Sequence, residues 1–396
     1  MIIKNIYCFL LSVTLLLPGT SRETASNHST KGNVLVDKKA TKETVALYTN
    51  LKNLSKTKVL FGHQDALAYG YNWWDEEGRS DVKEASGFYP AVYGWDLGNI
   101  VEKQENLDGI NFEKMRGWIK EGYARGSVIT FSWHMANPVT GGNSWDTVPT
   151  ITGILPGGEA HKTYTDWLDI FAELTTTLKG QNGELIPIIF RPFHEHNGNW
   201  FWWGKGINSE EDYIALWRFT VEYLRDEKGV HNLLWAFSPD RSRTDIDNFK
   251  KDYFYGYPGD EYVDIIGLDN YWDVGHPANQ TDSKTQQEHF IRSLTYTSQI
   301  ADSLNKIAAL TETGTEALPS PTIWTEKYFS ALSANEWTRR IAYILIWRNA
   351  NYEREKRDHF YASFEGHSTQ DDFIKFREQE FVLFEDELPD LYSIDD

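Results

Sequence analysis

The segment ELIPIIFRPFHE, residues 184–195, is an apolar run that ends in polar and titratable side chains. Its hydrophobic residues are continuous rather than alternating, as expected for a parallel strand that is covered on both faces. Runs of the same kind recur at KVLFGHQ (58–64), AVYGWDL (91–97), SVITFSWH (127–134), NLLWAFSP (232–239), VDIIGLDNY (263–271), KIAALTETG (306–314) and IAYILIWRN (341–349). The sequence therefore predicts eight buried parallel strands.

Amphipathic helices are predicted between these runs. In residues 209–229, Ser209 is a suitable N-cap with Asp212 three positions later, and apolar residues follow at helical spacing. A similar segment at residues 368–388, with Ser368 as its predicted N-cap, would supply the helix after the last strand. Strands and helices that alternate in this way are typical of a barrel with helices on its outside.

The predicted fold is α/β, a single (β/α)8 TIM barrel over residues 41–396. Nearly every strand run ends in polar side chains, and in such barrels the C-terminal strand ends face the active site. The side chains at these ends are Gln64, Asp65, Asp96, His134, Glu195, Asp240, Tyr271, Glu312 and Arg348. A capped strand end explains any one of them, but eight such ends together indicate a site.

The first residues predict export. Residues 1–21, MIIKNIYCFLLSVTLLLPGTS, have the pattern of a secretory signal peptide, and residues 22–40 form a polar, loose lead-in. We expect an exported protein, periplasmic or secreted, without a stable membrane anchor, although an uncleaved anchor stays open as an alternative. The single cysteine, Cys8, lies in this signal, so the mature chain would have no disulfide and no cysteine metal site.

The charge and the aromatic content of the chain bear on which class of ligand it binds. A formal net charge of −19 argues against nucleic acid as a partner, because nucleic-acid binding depends on cationic contacts. The chain has 16 Trp, 21 Tyr and 21 Phe, many of them beside Gly, Asn and Asp. Rings in polar loops suit sugars, whose C–H faces stack on aromatic side chains. An aromatic-rich core explains the composition by itself at least as well.

Two carboxylates stand out at the strand ends. Glu195 closes the fourth strand run and Glu312 closes the seventh, so both can reach into the mouth of the barrel. Glycoside hydrolysis needs such a pair, an acid for the leaving oxygen and a carboxylate that attacks or activates water. Glu195 lies among rings that would favour its protonated form, and Glu312 lies in a polar setting that suits an ionised nucleophile.

Other chemistries fit less well. His134, His194 and His196 raise the question of a metal, but no HExxH helix is present and we predict no metal site. No GxSxG turn is present for a serine nucleophile either. Imidazoles that bind sugar hydroxyls, or that hold a glutamate in place, explain His134 and His194 better. His196, Trp202 and Trp203 stay undecided between sugar contact and packing.

Several short motifs resemble one family. They are SWH (132–134), RPFHE (191–195), WFWWG (200–204), GLDNY (267–271), TETG (311–314) and IWRN (346–349), in this order at strand ends. Together they resemble glycoside hydrolase family 26, best known for endo-β-1,4-mannanases, over nearly the whole mature chain. His194 precedes the acid/base glutamate, as in that family, where related barrel glycosidases usually have Asn.

The resemblance implies a role for each motif. Glu195 would be the general acid/base and Glu312 the nucleophile of a retaining mechanism, with no cofactor. Such a mechanism predicts carboxyl groups about 5–5.5 Å apart, and a wider separation typical of inverting enzymes would contradict it. The positions implied to line the cleaved sugar are His134, His194, Trp200, Tyr271 and Trp347.

The same resemblance assigns more peripheral positions. Tyr271 would donate a hydrogen bond to the nucleophile. Arg348 would contact the next sugar on the non-reducing side, and Phe201 would stack on the leaving side. Trp145, in the loop GGNSWD, matches less securely, and Asp269 is expected to orient a histidine rather than to touch substrate.

The implied substrates are β-mannan, galactomannan or glucomannan and their oligosaccharides. A β-1,3-1,4-glucanase or β-1,3-xylanase on the same scaffold is the nearest alternative, because the sequence does not identify the loop that distinguishes mannose from glucose. A non-catalytic carbohydrate-binding barrel also fits the aromatic loops, but it would not need both glutamates.

Overall fold

Eight parallel strands form a closed barrel in this computed structural model, which describes residues 35–394. Each strand pairs with its neighbours in chain order, and the last pairs with the first. The strands are β1 (Val59–Gln64), β2 (Val92–Asp96), β3 (Val128–Ser132), β4 (Ile188–Arg191), β5 (Leu233–Phe237), β6 (Ile265–Asn270), β7 (Ile307–Thr313) and β8 (Ile341–Ile346). The predicted (β/α)8 barrel is confirmed, and every strand lies within the run predicted for it.

Helices lie before β1 and in the connections that follow the strands. They are α1 (Lys42–Leu54), α2 (Asp81–Ser86), α3 (Phe112–Ala124), α4 (Ile151–Ile154), α5 (His161–Thr177), α6 (Glu210–Glu222), α7 (Phe249–Tyr253), α8 (Ser283–Ser303), α9 (Ser330–Leu332), α10 (Tyr352–Glu355) and α11 (Gln370–Arg377). Wider π-helical turns cover Tyr223–Glu227 and Trp324–Phe329. A two-residue hairpin pairs Tyr69–Gly70 with Trp73–Trp74. No helix within residues 35–394 is long and apolar enough to cross a bilayer.

The capping prediction for α6 is confirmed. The Ser209 hydroxyl accepts a hydrogen bond from the Asp212 backbone N–H at 3.1 Å, and the Asp212 carboxylate accepts the return bond from the Ser209 N–H. This reciprocal pair satisfies two backbone donors that the helix cannot satisfy internally.

The prediction for residues 368–388 is wrong in two respects. Thr369, not Ser368, precedes α11, and the helix ends at Arg377. The following residues Val382–Leu383 extend the sheet beside the start of β1, and Phe384 stacks on Phe61 of β1 at 4.8 Å. Pairing with Val59 and Leu60, the first residues of β1, therefore outweighs the helical periodicity of this segment.

The predicted signal peptide, residues 1–21, lies outside the described residues. Of the predicted lead-in, residues 35–40 are described and contact the barrel. The Val36 N–H donates to Asp264 Oδ1 at 2.9 Å, and His231 Nδ1 donates to Asp37 Oδ2 at 2.7 Å. Asp264 directly precedes β6 and His231 lies two residues before β5, so these contacts lie at the N-terminal end of the barrel.

Candidate active site

A cleft of about 890 Å³ opens at the C-terminal ends of the strands. Its walls combine carboxylates with aromatic rings, the mixture that the sequence predicted for a sugar site. They include Glu195, Glu312, His134, Trp200, Tyr271 and Trp347. The barrel therefore brings the two predicted carboxylates, from the ends of β4 and β7, to one surface.

Glu195 is held in the cleft by an unusual turn after β4. Its φ angle is +54°, and that of Phe193 is +49°, a region that side chains other than glycine seldom adopt. The Glu195 N–H donates to the carbonyl of Ser238, after β5, at 2.8 Å. Backbone strain of this kind is retained where the surrounding structure fixes it, and here it directs the carboxyl group into the cleft.

The surroundings of Glu195 favour its protonated form. Burial raises the pKa of its carboxyl group well above the usual value, and the negative charges of Asp240 and Glu312 raise it further. Trp200 opposes this shift, because its indole Nε1–H donates to Glu195 Oε2 at 2.8 Å and so stabilises the carboxylate. A carboxyl group with a raised pKa can act as a general acid near neutral pH.

Glu312 lies in a different environment. It is 5% exposed, Tyr271 donates its hydroxyl proton to Oε1 at 2.8 Å, and the Arg191 guanidinium donates to Oε2. The hydrogen bond predicted between Tyr271 and the nucleophile is therefore present. A carboxylate held by a cation and a phenol is oriented and has its negative charge compensated.

Arg191 links Glu312 to a second acid. Its other terminal nitrogen donates to Asp269 Oδ2 at 2.6 Å, and Asp269 also accepts from Thr311 at 2.7 Å. The prediction that Asp269 orients a histidine is wrong, since it holds Arg191. The sequence analysis quoted Arg191 within RPFHE but gave it no role, because nothing local to that motif shows which acids it meets.

Replacement of this buried arginine should destabilise the barrel. We expect Arg191→Met to lower the free energy of unfolding by about 3–5 kcal/mol, because it leaves two carboxylates in the core without their cation. Denaturant unfolding would measure the change. Arg340→Met is the matched control, because Arg340 and Asp302 form a pair with side chains 42% and 56% exposed. Such a surface pair contributes about 0–1 kcal/mol, and equal losses in both variants would contradict the argument.

Two histidines form a chain under the cleft. His134 Nδ1 donates to Asp96 Oδ2 at 2.8 Å, and His134 Nε2 lies 3.3 Å from His194 Nε2. Burial disfavours the charged imidazole of His134, but the Asp96 carboxylate outweighs burial and raises its pKa. Burial, with Arg191, lowers the pKa of His194 well below its usual value. His134 thus joins Asp96 to His194, and Asp96 is the acid that orients a histidine.

The aromatic positions divide into cleft and core. Trp145 is 50% exposed and stacks on His134 at 5.4 Å, and Phe201 lies edge-on to the same imidazole at 5.3 Å. Both line the cleft, as does Trp347. Trp202 and Trp203 are fully buried, so packing accounts for them.

His196 and Arg348 lie away from the cleft walls. His196 is buried, donates Nε2–H to the carbonyl of Tyr255 at 2.7 Å and stacks on Tyr213. Arg348 forms ion pairs with Asp108 at 3.0 Å and Glu355 at 2.7 Å and is not among the residues that line the cleft. Its predicted contact with a second sugar stays a prediction. Within residues 35–394 no three His, Cys, Asp or Glu side chains are arranged so that they could hold a metal ion.

Comparison with known proteins agrees with this geometry. The family described as glycosyl hydrolase family 26 matches residues 36–358. A mannan endo-1,4-beta-mannosidase of Bifidobacterium adolescentis is 36% identical over 374 residues, which cover 91% of this chain and 36% of that protein. The chain thus spans about a third of that relative's length. A mannan endo-1,4-beta-mannosidase of Bacillus subtilis is 32% identical, covering 66% of this chain and 72% of that protein.

A solved structure is similar over its full length. The structure of a GH26 beta-mannanase from Bacteroides ovatus has 40% sequence identity and a TM-score of 0.81, covering 89% of this chain and 98% of that one. The similarity therefore extends over almost all of the barrel that carries the two glutamates.

Proposed function

The chain belongs to glycosyl hydrolase family 26, and from this premise we propose that it is a retaining endo-β-1,4-mannanase. Its substrates would be mannan, galactomannan or glucomannan and their oligosaccharides. The relatives named above are mannan endo-1,4-beta-mannosidases, which supports this substrate class for the present barrel.

The single observation that carries the proposal is the asymmetric pair of carboxylates. Glu195 and Glu312 line one cleft, and their partners differ. Among residues 35–394, Trp200 alone donates a side-chain hydrogen bond to Glu195, whereas Tyr271 and Arg191 both donate to Glu312. A protonated acid and a charge-compensated carboxylate are the two groups that double displacement requires.

The chemistry follows from these assignments. Glu312 attacks the anomeric carbon while Glu195 protonates the leaving oxygen, which forms a covalent mannosyl–enzyme and releases the leaving chain. Glu195 then removes a proton from water, and this water displaces Glu312 with net retention of the β configuration. His134, Trp145, Phe201 and Trp347 would hold the sugar chain through hydroxyl contacts and ring stacking. His194 is buried against His134, so it would act by positioning that imidazole.

Hydrolysis assays on purified protein test the proposal. Mannan, galactomannan and glucomannan should be cleaved, with lichenan and β-1,3-xylan as the alternatives. NMR of the first product should show the β anomer before mutarotation. Cleavage of lichenan or xylan with mannans untouched would overturn the substrate class, and an initial α anomer would overturn retention.

The Trp200 hydrogen bond predicts a pH effect. In Trp200→Phe the Glu195 carboxylate loses a donor that lowers its pKa, so the protonated acid should persist to higher pH. We expect the alkaline limb of the kcat/KM profile to move to higher pH. Trp145→Phe is the control, since Trp145 lines the same cleft. The alkaline limb of the kcat/KM profile should not move in this variant. A shift to lower pH in Trp200→Phe would contradict Glu195 as the acid.

Export is a separate part of the proposal. The signal-like pattern of residues 1–21 supports a protein that is released to the periplasm or the medium. Fractionation of producing cells with N-terminal sequencing of the mature enzyme would test it, and enzyme recovered only from the cytoplasm with Met1 retained would contradict it.

A further inference from the structure

The loops after β5 and β6 form one wall of the cleft with side chains that the chemistry above does not use. The loop after β5 contributes Ser242 and Arg243, and the loop after β6 contributes Trp272 and His276. These four residues are called the outer wall below. None of them is assigned a role by the motifs of the sequence.

The two loops are joined and held in place. Arg241 Nε lies 2.8 Å from Asp273 Oδ2, with side chains only 4% and 0% exposed. The Thr315 hydroxyl donates to the carbonyl of Val274 at 2.5 Å. A buried ion pair and a buried hydrogen bond therefore fix the backbone beside Arg243, Trp272 and His276 before any ligand binds, which lowers the entropic cost of binding there.

The outer wall presents the groups that sugars need. Arg243 is exposed, its guanidinium lies 5.0 Å from the Trp200 ring, and it donates to Asn199 at 3.2 Å. Across residues 35–394 no carboxylate forms an ion pair with Arg243, so this guanidinium can donate to ligand oxygens. The half-buried Trp272 ring lies 5.5 Å from the His276 ring and offers an apolar surface to sugar C–H groups.

The position of the outer wall identifies its side of the cleaved bond. The acid protonates the leaving oxygen, so the leaving sugar lies beside Glu195. Trp200 donates a hydrogen bond to Glu195, and the Arg243 guanidinium lies over the Trp200 ring. The ion pair of Arg241 with Asp273 connects the loop that carries Arg243 to the loop that carries Trp272. The outer wall therefore continues the cleft on the leaving-group side.

We propose that the outer wall is a binding site for the leaving part of the sugar chain, a β-linked hexose oligosaccharide. Trp272 and His276 provide the stacking surface, and Ser242 and Arg243 provide the hydroxyl contacts. The inference rests on the proposed function, since it takes Glu195 as the acid. It goes beyond that function by assigning the leaving-side contacts to residues that no motif marks.

Paired substrates test this site. The leaving part of mannohexaose is a chain of sugars, whereas the leaving group of an aryl β-mannobioside is a single phenol without sugar hydroxyls. In Trp272→Ala and in Arg243→Ala, the ratio of kcat/KM for the hexaose to that for the aryl substrate should fall about tenfold, the effect expected for one stacking or charged contact. Transfer of the mannosyl group to added mannobiose should fall in parallel.

Trp337→Ala is the matched control. Trp337 is also a partly buried tryptophan beside an arginine, 4.8 Å from Arg340, but it precedes β8 at the opposite end of the barrel. Its substrate ratio should equal that of the wild type. His276→Ala, in an exposed loop, keeps the test available if Trp272→Ala does not fold, and it should lower the same ratio.

The outcomes separate the two proposals. An unchanged ratio in all three outer-wall variants, or equal losses on both substrates, would overturn the binding site while leaving the mannanase assignment intact. A wild-type enzyme that cleaves neither substrate would instead overturn the proposed function.

Discussion

Glu312→Ala is expected to lower kcat on mannan by about 10⁴-fold or more, since removal of a nucleophile abolishes the covalent route. Manno-oligosaccharide binding, measured by calorimetry on the inactive variant, should persist because the rings of the cleft are unchanged. Added azide can enter the vacated space and attack the anomeric carbon, so an activated aryl mannobioside should yield an α-mannosyl azide.

A matched control separates this result from a general loss of charge. Glu316 lines the same cleft and pairs with His359 at 2.7 Å, yet it is not one of the two proposed catalytic carboxylates. Glu316→Gln should therefore retain kcat within about tenfold, the range of a modest binding contact. If Glu312→Ala retained wild-type turnover, or azide gave a β product, Glu312 would not be the nucleophile.

Glu195→Ala should show a loss that depends on the leaving group. On mannan, loss of general acid catalysis should lower kcat by about 10²–10⁴-fold. An aryl mannobioside with a dinitrophenyl leaving group needs no proton, so its first step should proceed and be followed by slow hydrolysis of the mannosyl–enzyme. A burst of phenol, and a β-mannosyl azide when azide is added, are the expected signatures.

The pH profile provides an independent check on the same residue. If Glu195 is the acid, the wild-type alkaline limb should report its deprotonation, because burial and neighbouring negative charges raise the pKa of its carboxyl group. In Glu195→Ala, measured on the dinitrophenyl substrate, that limb should be absent. Persistence of an unchanged alkaline limb would show that another group supplies the proton.

The fold was predictable because its signals are local. Continuous apolar runs such as residues 188–191 specify strands that are covered on both faces, and the Ser209–Asp212 pair specifies where a helix begins. The polar ends of these runs placed Glu195 and Glu312 at one rim of the barrel. The C-terminal segment was predicted incorrectly because its conformation depends on pairing with the first residues of β1, which are distant in sequence.

The sequence by itself determined the barrel, the two carboxylates and most of the rings of the cleft. Only the tertiary structure decided which charges meet. Arg191 lies 78 positions from Asp269 and 121 from Glu312 in the chain, and Asp96 lies 38 positions from His134. Such pairs depend on how the strand ends are arranged around the barrel and on burial that makes an unpaired charge costly, and neither property is local to a motif.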